Sequence, residues 1–261
     1  MNFKINFHEP YRSDQCNLSV IKLLNNNKSS LFGFDKITKK NENIVKKKFG
    51  FKNILFTNSC TSSLEISALL LYRKNKNEAI IPSYTFSTTA SSFLRSNFKV
   101  KFIDVVDESM MPSFENIKKN VSKKTGVIVI VHYAGLPIDD LEKLKSFCKK
   151  RKIYLVEDAA QALGSYYKKK MLGKFGDLSC FSFHETKNIH SGSGGMLVVN
   201  NRKFIRRAHF ILERGTDRRL VLQKIKSKYS WVTLGSSFNI TELNSSYLTH
   251  QLLIYNKIIN D

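Results

Sequence analysis

Lys187 lies in the stretch CFSFHETKNIHSGSGG, Cys180 to Gly195, where an apolar strand-like run gives way to one lysine and then to small residues and glycines. A lysine that only decorates a surface needs no such frame, because it is solvated almost anywhere. A lysine kept partly from water loses its proton more readily and becomes a nucleophile toward carbonyl carbon. Asp158, in LVEDAAQ, closes another apolar run, where a carboxylate is costly without a cationic partner. A structural ion pair or a helix cap would meet the same need. NSCTSS, Asn58 to Ser63, sets hydroxyls and free backbone N–H groups at a helix start, an arrangement that holds anions. On its own, an ordinary N-cap explains it better. In PSYTFSTT, Tyr84 and Phe86 offer flat faces after a strand, although a lone aromatic there is more simply core.

Taken together, the four features match the needs of one cofactor, pyridoxal 5′-phosphate. Its phosphate wants a helix start with hydroxyls, its pyridinium nitrogen a buried carboxylate, its ring an aromatic face and its aldehyde an amine.

Such residues must be brought together by strand ends, since ligands of open α/β sheets lie beyond the carboxyl ends of the strands. The chain supplies them. Apolar runs read as strands (NILFT, EAIIP, KVKFIDV, GVIVIV, IYLVED, DLSCFSFH, GGMLVV) and alternate with helical patterns (TSSLEISALLLYRK, SFENIKKNV, DDLEKLKSFCKKRK). Asp139 or Asp140 opens the last of these helices. This is an α/β fold with a mostly parallel central sheet. After about Lys203 the pattern turns helical and basic, ending in the apolar segment SSYLTHQLLIYNKII.

Composition narrows the alternatives. The 261 residues are 42% hydrophobic, enough for a sizeable core. The net charge of +22 invites a nucleic-acid partner. Its lysines, however, fall in many short runs with no single basic arm or recognition motif, so no specific nucleic acid is expected. No apolar run reaches the length of a membrane span, and the N-terminus lacks a secretory signal, so a cytoplasmic protein is expected. The cysteines, Cys16, Cys60, Cys148 and Cys180, lack C-x-x-C spacing and read as reduced thiols, with no metal site.

The segments SCTSSLEISALLL, IPSYTFSTTA, VHYAG, VEDAAQ, CFSFHETKN, ERGTDR and KYSWVTLGSS resemble the sugar-nucleotide aminotransferases of the DegT/DnrJ/EryC1/StrS family over nearly the whole chain. The resemblance implies the aspartate-aminotransferase fold, fold type I, acting as a homodimer with sites shared across the interface. By matching position, Lys187 would be the Schiff-base lysine and Asp158 the partner of the pyridinium nitrogen. Gln161, one helical turn on, would face the cofactor's phenolate side, and Phe86 would stack on the ring. Thr61, Ser62 and Ser182 would hold the phosphate, and Asn239 would reach the phosphate of the neighbouring subunit. The implied reaction moves an amino group from glutamate to C4 of a sugar nucleotide. The match most resembles members acting on a dTDP-4-keto-6-deoxyhexose for enterobacterial common antigen or another surface polysaccharide.

Residues 1–240, including an N-terminal segment over 1–35, would form the large, cofactor-binding domain. Residues 241–261 would begin the connection to a smaller C-terminal domain that this sequence does not contain. The last helices, with Leu248, Leu252, Ile254 and Ile258, are then expected to expose apolar faces, and the chain to bind cofactor better than it turns over substrate. Two departures from the family pattern stand out: Ser193, where an acid usually precedes the paired glycines, and Val232-Thr233 after Trp231.

Overall fold

Short apolar runs rich in Val and Ile favour strands, and here each becomes one. The computed structural model describes residues 8–33 and 35–260. Its strands are β1 (Ile54–Thr57), β2 (Glu78–Pro82), β3 (Lys99–Ile103), β4 (Thr125–Val131), β5 (Tyr154–Asp158), the short pair β6 (Tyr166–Tyr167) and β7 (Lys170–Met171), β8 (Leu178–Ser182) and β9 (Gly195–Val199). The central sheet runs β1-β9-β8-β5-β4-β2-β3. From β3 to β8 every neighbour is parallel, while β9 lies antiparallel to both β8 and β1.

The helices are α1 (Asp14–Leu24), α2 (Lys36–Phe49), α3 (Cys60–Leu71), α4 (Ser87–Arg95), α5 (Phe114–Asn120), α6 (Leu141–Arg151), α7 (Ile205–Leu212), α8 (Arg218–Leu222), α9 (Glu242–Leu253) and α10 (Tyr255–Asn260). Alternation along the strands sorts the sheet into two faces. Ile80, Ile128, Ile130, Phe181 and Met196 pack with residues of α2, α5, α6 and α9. Ile81, Val127, Val129, Cys180 and Leu197 pack with those of α3, α4 and α7. The result is a three-layer α/β/α body, which places the carboxyl ends of β4, β5 and β8 side by side. Among the described residues no helix is long and apolar enough to cross a membrane. All four cysteines are free thiols.

One expectation needs correcting. Leu248 and Leu252 of α9 are fully buried, and Ile254 and Ile258 are partly covered. The helix packs on α1 and α2, and it is fixed there by polar contacts as well as apolar ones. The buried carboxylate of Glu242 accepts from the backbone N–H groups of Asp35, Ile37 and Thr38 and from the Thr38 hydroxyl. It thereby caps α2, whose own Asp35 forms no side-chain cap. Asn41 donates to the Ser245 carbonyl at 2.7 Å and accepts from Thr249 at 2.8 Å. Exposed apolar side chains gather elsewhere, at Leu222, Ile225, Tyr229, Trp231, Val232 and Leu234.

Candidate active site

A cavity of about 550 Å³ opens at the carboxyl ends of the parallel strands, and Lys187, Asp158, Gln161, Ser182, Thr61 and Phe86 all line it. Gln161 stands in the turn after β5, and the other five come from separate places along the chain. Thr61 stands in the first turn of α3, Phe86 at the N-cap of α4, Asp158 at the end of β5, Ser182 at the end of β8, and Lys187 in the loop between β8 and β9.

Close packing explains the glycines after the lysine. A Cβ on Gly195 would stand 2.4 Å from the Ser59 carbonyl and 2.5 Å from the Cys60 nitrogen, so only glycine lets β9 approach the start of α3. Ser193 is tied into the same corner, its hydroxyl donating to the Asn58 carbonyl at 2.9 Å. At α3 itself, Ser59 Oγ accepts from the Ser62 N–H at 3.0 Å and the Ser59 carbonyl takes the Ser63 N–H. The N–H groups of Cys60 and Thr61, the first two of the helix, are left for a ligand.

Asp158 is 4% exposed and has no cation in hydrogen-bond contact among the described residues. Its Oδ2 accepts from the Thr89 hydroxyl at 2.7 Å and its Oδ1 from the Ala160 N–H at 3.2 Å. Burial pushes the carboxyl pKa above its ordinary value; the two hydrogen bonds and the charges of His132 and Lys187 offset only part of that rise. Lys187 is half-buried, and its ammonium makes no hydrogen bond or ion pair among the described residues. A buried carboxylate short of a positive charge and an unpaired amine thus share one cavity with a helix start. That donor set fits pyridoxal 5′-phosphate.

Gln161 stands in an irregular turn rather than one helical turn on, and its Oε1 accepts from the Ala134 N–H at 2.7 Å. Ala134 holds a left-handed conformation, with φ of 50°, in the segment VHYAG. Phe86 is 73% exposed, which removes the core explanation for it and leaves its face toward the cavity mouth. Tyr84 and Tyr133 stand beside it, hydroxyl to hydroxyl at 3.0 Å.

Two expected residues lie apart. Ser62 is buried and does not line the cavity, its hydroxyl donating to Asn58 Oδ1 at 2.5 Å. Asn239 is buried next to Thr57, outside the cavity, and neither its amide oxygen nor its amide nitrogen has a partner among the described residues.

Three residues of the site escaped the sequence reading. Thr89 holds Asp158. Its signal was a hydroxyl one helical turn past Phe86. Glu157, fully buried beside Asp158, accepts from the N–H groups of Gly173, Phe175 and Gly176, from Ser179 Oγ and from His132 Nε2 at 2.9 Å. Burial alone would raise its pKa, but His132 and the backbone donors outweigh that and hold it low. His132 is thereby tied through its Nε2 to the Glu157 carboxylate. Its buried Nδ1 has no partner among the described residues, and the residue forms part of the cavity wall. The signal was a second acid inside one apolar strand.

Residues 13–260 match the model of the DegT/DnrJ/EryC1/StrS aminotransferase family. An uncharacterized protein of Methanocaldococcus jannaschii is 31% identical over 250 residues, which cover 94% of this chain and 64% of that protein. The UDP-4-amino-4,6-dideoxy-N-acetyl-beta-L-altrosamine transaminase of Campylobacter jejuni is 31% identical over 208 residues, 78% of this chain and 53% of the enzyme. Among solved structures, Helicobacter pylori PseC, an aminotransferase involved in pseudaminic acid biosynthesis, superposes with a TM-score of 0.87 at 26% identity. That likeness covers 97% of this chain and 66% of PseC. The chain thus spans less than two thirds of the length of the curated relatives it matches. The match over nearly all of its residues, on a fold-type-I body, makes the chain a member of the DegT/DnrJ/EryC1/StrS aminotransferase family.

Proposed function

We propose that this chain binds pyridoxal 5′-phosphate, the cofactor of its family, in the cavity at Lys187 and serves amino transfer from glutamate to C4 of a 4-keto-6-deoxy sugar nucleotide. The observation that carries the reading is the buried, cation-less Asp158 in one cavity with the unpaired Lys187. The bound cofactor supplies an aldehyde carbon that exchanges amines and a ring that takes up electrons from the carbon beside them. Asp158 accepts the ring N–H and keeps that nitrogen protonated. Thr89 and Ala160 hold the carboxylate in place for this task. The Cys60 and Thr61 N–H groups, Thr61 Oγ1 and Ser182 bind the phosphate, while Ser62 supports the turn from beneath through Asn58 and Ser59. Phe86 covers the ring face, and Gln161, oriented by Ala134, stands at the phenolate side. The amine of Lys187 takes a proton from the carbon of the amino donor and returns one to C4 of the sugar.

A second copy completes the site in this reading. Asn239, buried with an unsatisfied amide, turns its hydrogen-bonding capacity to the phosphate of the partner's site, and the exposed apolar run from Leu222 to Leu234 supplies the contact. The sugar position draws support from the Campylobacter relative, a transaminase named for a 4-amino-4,6-dideoxy sugar. The nucleotide we assign is dTDP, with the product serving surface polysaccharide such as enterobacterial common antigen, on the segments CFSFHETKN and VEDAAQ.

Borohydride reduction of the cofactor-loaded protein should attach the cofactor to the peptide carrying Lys187, seen by mass spectrometry, and Lys187→Ala should lose both the label and the visible absorbance. A label at any other lysine would overturn the assignment. Glutamate followed by dTDP-, UDP- or GDP-linked 4-keto-6-deoxy sugars then tests donor and nucleotide separately.

A further inference from the structure

At the opposite edge of the sheet, where the parallel strands begin, lies a second cavity of about 560 Å³. Arg73, Lys145, Lys149, Lys152 and Lys203 line it, with Asp177 as the one acid. Asp177 does not neutralise them. Its Oδ2 accepts from the Leu155 N–H at 3.0 Å and its Oδ1 from Asn201 Nδ2 at 2.7 Å. None of the five cations joins an ion pair among the described residues.

Ordinary surface chemistry accounts for part of this cluster. Lys149 stands in the last turn of α6, where a cation complements the helix dipole. Arg73, just past the end of α3, shares that reason, whereas Lys203, which precedes α7, does not. Arg73 is also fixed: its Nη2 donates to the carbonyls of Gly126 at 3.1 Å and Lys152 at 3.3 Å, and its buried Nε finds no acceptor. Lys76, adjoining, has its pKa lowered by burial and then by the charges of Arg73 and Lys152. Five positive groups thus converge here on a single acid, Asp177, which is engaged by Leu155 and Asn201.

The kind of anion follows from Tyr154. Its ring already meets the Arg73 guanidinium at 4.6 Å, the Lys203 ammonium at 4.3 Å and the edge of Phe204. It offers no open platform for a nucleobase, so recognition here is of charge. We propose that this second cavity binds the diphosphate or triphosphate group of a small molecule, through Arg73, Lys145, Lys149, Lys152 and Lys203. The site is independent of the cofactor reading, as it shares no residue with the first cavity.

Calorimetric titration of the full chain tests it, at about 0.15 M salt with pyridoxal phosphate in excess to fill phosphate positions of the first cavity. Inorganic pyrophosphate and tripolyphosphate should bind once per chain and more tightly than orthophosphate. The pair Lys145→Ala/Lys149→Ala, both on exposed positions, should weaken pyrophosphate by about tenfold or more, and Arg73→Gln should do likewise. Lys39→Ala/Lys40→Ala removes the same charge from α2 and should change affinity less than about twofold. ADP binding as tightly as pyrophosphate identifies the diphosphate alone as the recognised group; ADP binding more tightly identifies a nucleotide as its source. Absence of saturable binding below about 10 mM, or equal losses in the α6 and α2 pairs, would overturn the proposal. So would a single-stranded oligonucleotide that binds more tightly than tripolyphosphate and loses affinity in the α6 pair.

Discussion

Asp158, buried, and His209, partly buried, are both groups whose charged forms the fold penalises, and the two respond to pH in opposite directions. A carboxyl whose folded pKa is raised binds its proton more readily in the folded than in the unfolded chain. Its ionised form therefore costs stability at neutral pH, and that cost is relieved as pH falls through the folded pKa. Asp158→Asn should raise the melting temperature of the cofactor-free protein at pH 7, with the gain shrinking in acid, while weakening cofactor binding; scanning fluorimetry with and without pyridoxal phosphate reads both. His209 is driven down to about 3 by burial and then by Arg219, so the fold holds it neutral. Stability should fall as pH drops below the ordinary histidine value, by up to about 1.4 kcal/mol per pH unit. His209→Gln should flatten that slope between pH 7 and 5 in urea titrations. At this scale Lys187 and Asp158 were legible because each interrupts an apolar run. Thr89, Glu157 and His132 were not, because their meaning comes from partners on other elements.

Elements were legible where the hydrophobic period was clean. The alternation in β4 and the apolar positions of α3 both reached the faces that their spacing required. The apolar side of α9 was expected to be exposed, but it is covered by α1 and α2, some two hundred residues earlier in the chain, and no local pattern records that pairing. The Gly-rich loop was legible as a frame for Lys187, whereas the reason for Gly195 is a contact with the Ser59–Cys60 peptide. Gly195→Ala must push β9 away from α3. It should cost about 1–3 kcal/mol in urea denaturation and weaken cofactor binding, because the displaced N–H groups are those assigned to the phosphate. A change in stability with unaltered cofactor affinity would show that α3 does not bind it.

For the molecule as a whole, the three-layer body followed from the order of strands and helices, but the place of its exposed apolar surface did not. Much of that surface lies at Leu222, Ile225, Tyr229, Trp231 and Leu234, while on the last helices only Leu253 and Ile259 among the described residues are exposed large apolar side chains. If it joins two copies, Trp231→Ser with Leu234→Ser should shift the sedimentation of the cofactor-loaded protein from dimer to monomer at micromolar concentration. The sheet carries one further consequence, for synthesis on the ribosome. β1 has a single neighbour in the sheet, β9, with Ile54 opposite Val198. Strand β1 therefore emerges long before the strand that pairs with it. Through that interval its edge is open to wrong pairing. The helix start that follows β1 can take its final position against β9 only when Gly195 has left the exit tunnel, so cofactor capture during translation should come late and abruptly.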